Sequence, residues 1–137
     1  MTAVHRIQVL ERKAGNILKT LGYGMVIVND CRCFRYLTFN LTACKERDDG
    51  TVDVVMVKLK ISLHTIGSLD EAAIVCRDEI KRMKKFFDRM PPEIKLPRYE
   101  VWISIPSNTF QSFEFTRDGL RDILSLYEIA GRQGSAA

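Results

Sequence analysis

The 137-residue chain has no run approaching the ~20 apolar residues that a membrane-spanning helix needs, and no apolar targeting segment follows Met1. A membrane partner is therefore not expected. Neither charge sign dominates, with 21 Lys and Arg against 17 Asp and Glu for a net charge of +4, an excess that also serves plain solubility. Four Pro and eight Gly, without period, exclude collagen-like and low-complexity classes. Histidine is scarce. His5 and His64 have no Cys or carboxylate at ligand spacing and read as surface or strand-end residues. Cys31 and Cys33 form a C-x-C pair without the two-residue gap of a zinc knuckle, and no second pair follows among Cys44 and Cys76. Reduced, buried thiols and a reducing cytoplasm are expected, with no metal. Gly22-Tyr23-Gly24 leads from helix to strand, the reverse of a phosphate-binding loop, and Ser104 and Ser107 lack a nucleophile-elbow context.

What is present is enough apolar residue, 46% of the chain, for a core without staples. The expectation is one domain over residues 1–131 with a disordered tail at 132–137. Apolar positions from Val4 to Leu21 recur at separations of three and four, an amphipathic helix that Gly22 stops. Met25 to Val28 reads as a short strand. Phe34 to Cys44 alternates, which places Leu37, Phe39, Leu41 and Ala43 on one face of a strand. The Asp49-Gly50 step closes a hairpin, and its return strand, Thr51 to Leu63, is apolar on both faces at first and so central in the sheet. Ser68 and Glu71 form a capping box for a helix that runs to Met90-Pro91-Pro92. Strands follow at Tyr99 to Ile105 and Phe110 to Phe115, then a last helix from Arg117-Asp118-Gly119 to Ala130. The fold class is α/β, a mixed central sheet of about five strands flanked by helices in the order α-β-β-β-α-β-β-α.

Lys58 and Lys60 stand two apart on the central strand and share a face. Desolvating that pair costs several kcal/mol unless an anion or a water-filled cleft receives them. Something acidic or aqueous is expected beside them.

Over Glu11 to Phe115 the order of elements and several local patterns resemble the PD-(D/E)XK, or restriction-endonuclease-like, nuclease superfamily, particularly its small resolvase-like members. Glu11, Ala14, Leu18 and Gly22-Tyr23 stand in the arrangement of the family's first helix. Phe39-Asn40-Leu41 occupies the place of its aspartate strand, and Lys58-Leu59-Lys60 the place of its E-x-K strand. Gly67-Ser68 and the following helix, then Val101-Trp102-Ile103 and Phe113-Glu114-Phe115, complete the likeness. The resemblance implies a catalytic centre at Lys60, Glu11, Asn40 and Lys58. In active members two carboxylates hold a divalent metal, usually magnesium, while the lysine activates water or stabilises negative charge. Here an amide and a cation replace the carboxylates, so the implied centre is degenerate. Asp53 is no substitute, because its odd separation from Lys60 aims it at the other face, and Glu46, Asp48 and Asp49 read as a solvated turn.

Arg77, Lys81, Arg82, Lys84 and Lys85 give the second helix a basic side able to neutralise phosphates, diluted by Asp78, Glu79 and Asp88. The leading expectation is a nuclease-fold protein, catalytically inactive, that binds nucleic acid such as DNA or assembles a nucleic-acid-processing complex, without cofactor. One alternative is an active, magnesium-dependent DNA endonuclease with a migrated carboxylate. The other is a protein-interaction or homodimerisation module presenting Trp102, Phe110, Phe113 and Phe115 along an edge strand.

Overall fold

Residues 3–29 and 36–123 are described by the structure, a computed structural model. Helix α1 (Ala3–Thr20) ends in a Schellman motif. Gly22, at φ 99°, donates its N–H to the Lys19 carbonyl, and Tyr23 donates to that of Leu18. Strands β1 (Met25–Val28), β2 (Leu41–Glu46) and β3 (Val52–Ile61) then form an antiparallel meander. Helices α2 (Leu69–Val75) and α3 (Arg77–Arg89) carry the chain to β4 (Arg98–Ser104), parallel to β3. A second antiparallel meander, β4, β5 (Phe110–Thr116) and β6 (Gly119–Asp122), completes a six-stranded sheet whose spatial order is the chain order. The α/β class and the central place of β3 are as expected.

The strands' period of two sorts the core into two layers. Val55, Val57 and Leu59 of β3 meet Ala14 and Leu18 of α1, with Leu41, Ala43 and Trp102. On the other face Val101, Ile103, Phe113 and Phe115 meet Ala72, Cys76, Met83, Phe86 and Phe87. Lys58 and Lys60, alternating with the first set, face α2 and α3.

Four expectations are corrected. The alternating stretch ahead of Cys44 is a strand only from Leu41, and its apolar residues do not share a face. Leu37 and Phe39 pack on the α2/α3 side, whereas Leu41 and Ala43 pack against α1. Asn40 causes the switch. Its side-chain oxygen accepts from the Leu59 N–H at 2.8 Å where a ladder carbonyl would stand, and the chain bends there. The second helix is two, broken at Cys76. The segment at Arg117-Asp118-Gly119 is a hairpin turn, not a helix start: Gly119 sits at φ 128° and leads into β6, which raises the strand count to six. The rest of that expected helix, 124–130, lies outside the described residues, as do 132–137, Cys31 and Cys33. Finally, Trp102, Phe113 and Phe115 are core side chains, and Phe110 is half-buried with its ring 5.6 Å from that of Trp102. No helix among the described residues is long and apolar enough to cross a membrane.

Candidate functional site

Of the acidic or aqueous surroundings expected beside the lysine pair, Lys60 meets an acid, Glu79 of α3. Lys60 Nζ lies 2.5 Å from Glu79 Oε1 and donates to the Val75 carbonyl at 3.2 Å. That carbonyl is the last of α2, at the break before α3, which opens with Cys76 accepting from the Ile80 N–H. One ammonium thus neutralises a part-buried carboxylate and satisfies an orphaned helix-end carbonyl. Lys58, on the same face, donates to the Thr38 hydroxyl at 3.2 Å.

Asn40 is buried, and the bonds it makes among the described residues are structural. Its N–H donates to the Val57 carbonyl at 2.8 Å, its carbonyl accepts from the Asn29 N–H at 2.9 Å, and its Oδ1 receives the Leu59 N–H. The Asn29 side chain braces the turn by donating to the Phe39 carbonyl at 3.1 Å and accepting from the Thr42 hydroxyl at 2.8 Å. Asn40, Lys58 and Lys60 therefore come together where β2 begins and β3 ends. Glu11, half-buried on α1, belongs to the opposite layer of the sheet.

These residues do not fit a divalent metal. The Asn40 oxygen is occupied by a backbone donor, Lys58 is a cation, and Asp53 faces α1, with its carboxylate 3.5 Å from Arg47. Among the described residues no three His, Cys, Asp or Glu side chains are grouped to hold an ion. Asp49 instead caps the β2–β3 turn by accepting from the Thr51 N–H and hydroxyl, which holds its carboxyl below the usual range.

The basic residues of α3 are arranged differently. Met83, Phe86 and Phe87 fix the inward face of the helix, so Arg77, Lys81, Lys84 and Lys85, at steps of four, three and one, line up along the outward face, with Arg82 beside them. All five are exposed, and among the described residues none makes an ion pair. The helix end is secured separately: Arg117 donates to the Phe87 carbonyl at 2.7 Å, and Arg89 to the Tyr36 hydroxyl at 3.0 Å.

Sequence reasoning missed one polar cluster. Glu100 of β4 is buried on the α1 side, where its carboxylate accepts from the Trp102 indole N–H at 2.9 Å and lies 3.6 Å from Arg98 Nε. Arg98 also donates to the Tyr23 hydroxyl at 2.5 Å. Burial pushes that hydroxyl up to about 12, against the pull of the guanidinium, so it stays a neutral acceptor. The available signal was a lone acid inside the apolar run from Tyr99 to Ile103. His5 and His64 are exposed. Cys44 and Cys76 are free thiols, and burial pushes the Cys76 thiol up to about 11.

Comparison of the chain with protein-family models, with curated proteins and with solved structures finds no match.

Proposed function

We propose that this chain is a nucleic-acid-binding protein on a restriction-endonuclease-like fold whose nuclease centre has been lost. The fold half of the reading rests on the resemblance noted in the sequence. It is supported by an antiparallel three-strand meander after α1, with a helical crossover to a parallel fourth strand. The loss of chemistry follows from Asn40 and Lys58 at the two carboxylate positions, and from Lys60 being engaged by Glu79 and the Val75 carbonyl.

The observation that carries the binding half is the row Arg77, Lys81, Lys84 and Lys85 on α3, exposed and without an ion pair among the described residues. A helix face held rigid by a packed aromatic underside presents its charges at fixed spacing to a phosphate backbone. Asp78 and Asp88 on the same helix keep the field moderate and favour weak, salt-sensitive binding.

Fluorescence-anisotropy titration against labelled duplex and branched DNA tests this reading. Four phosphate contacts give a slope of log K on log salt of roughly −3.6, so affinity should fall about a hundredfold between 50 and 200 mM salt. The DNA should stay intact with magnesium or manganese. Absence of binding at low salt would sink the nucleic-acid reading, and metal-dependent cleavage would sink the loss of catalysis.

A further inference from the structure

The β3–β4 ladder begins at Val55 opposite Arg98, whereas β3 itself begins at Val52. Residues 52–54 thus run beyond the last β4 pair while the chain at 95–97 diverges from them. The gap is a cavity of about 360 Å³. Val54, Leu96 and Pro97 give it apolar walls, and Arg47, Lys95, Arg98 and Asp53 converge on it.

The lining carries three cations against one carboxylate, with Asp49 near Arg47 and Lys95 and Glu100 behind Arg98, so that positive charge still leads by number at the cavity wall. Arg47 reaches Asp53 at 3.5 Å but is more than half exposed, so the pair is loose. Arg98 is held from behind: the Tyr23 hydroxyl and buried Glu100 fix its guanidinium without covering it, and its side chain is 37% exposed. Lys95 is exposed and has no ion pair among the described residues. A pre-set guanidinium, a movable one and an exposed ammonium around an apolar recess suit a dianionic head on an apolar or planar body. A monoanionic carboxylate would use fewer of these donors.

We propose that this cavity binds an organic phosphate monoester. Its phosphate lies among Arg47, Lys95 and Arg98, and its body lies against Val54, Leu96 and Pro97. The cavity opens where β3 and β4 begin, at the other end of β3 from Lys58 and Lys60, and shares no residue with the α3 row. It therefore stands or falls apart from the nucleic-acid reading.

Calorimetric titration of the full chain with adenosine monophosphate, adenosine and inorganic phosphate is the test. Adenosine monophosphate should bind at least about tenfold more tightly than either fragment. The exposed-site variant Arg47→Glu/Lys95→Glu should lose at least about tenfold in affinity with its urea midpoint unchanged, which separates binding from folding. Lys81→Glu/Lys84→Glu/Lys85→Glu should leave that affinity as it was. The proposal is overturned by no heat of binding at about 5 mM monophosphate, by equal binding of adenosine, by an affinity that ignores Arg47→Glu/Lys95→Glu, or by one that follows the α3 variant.

Discussion

Lys60 of β3 and Glu79 of α3 form an ion pair, Nζ to Oε1 at 2.5 Å, with side chains 23% and 13% exposed, and the same ammonium caps the Val75 carbonyl at the α2–α3 break. Under the proposed reading Lys60 stands where a nuclease would turn a lysine toward substrate, and here it is turned into the fold. Lys60→Ala leaves a part-buried carboxylate and a helix-end carbonyl without their partner, a loss of about 2 kcal/mol, below the range for fully buried pairs because water still reaches this one. Urea unfolding should register that loss while DNA affinity stays within about twofold of the parent. Under the enzyme alternative the same substitution would spare stability and abolish activity.

Asn40 offers a second structural test. Asn40→Ala removes the acceptor of the Leu59 N–H and should cost about 2 kcal/mol by urea unfolding. Asn40→Asp keeps an acceptor oxygen at that place and should cost less than half as much. Equal losses in the two variants would show that the hydrogen bond is not what the residue contributes.

Alkaline pH should weaken the fold in two overlapping steps. Burial raises the Cys76 thiol from 9.0 to about 11 and the Tyr23 hydroxyl from 10.0 to about 12. Both groups hold their protons more tightly folded than unfolded. Their contribution is complete below the unfolded values and is lost as pH rises through 9 to 11 for Cys76 and 10 to 12 for Tyr23. Urea midpoints measured across that window should fall, and Cys76→Ala should flatten the lower part of the fall. At neutral pH a thiol reagent should label half-buried Cys44 well before Cys76.

Much of this architecture was legible in the sequence wherever local signals and tertiary packing agreed. The α1 stripe with its glycine stop, the Asp49-Gly50 hairpin and the Ser68 cap form as read, with Glu71 accepting from the Gly67 N–H one residue before the cap. The misreadings share a cause, a local pattern overridden by one long-range bond or turn. Alternation from Leu37 to Ala43 looked uninterrupted because nothing local marks Asn40 as a side chain that enters a neighbouring strand's ladder. The Arg117-Asp118-Gly119 segment reads in the sequence as a helix start, although the same Asp-Gly dipeptide marks the first hairpin. In the candidate site, period two placed Lys58 and Lys60 on one face and called for something acidic or aqueous beside them. Which acid was hidden, because Glu79 reaches Lys60 only through the packing of α3 on the sheet.

The central claim is that the α3 row is the nucleic-acid surface, and charge reversal along it is the most direct measurement. Parent and Lys81→Glu/Lys84→Glu/Lys85→Glu proteins would be titrated against the same duplex across a salt series. The account predicts at least about a thirtyfold loss of affinity at low salt, and a salt slope shallower by about three, with the unfolding midpoint unchanged. A variant that binds as tightly and with the same slope as the parent would contradict it.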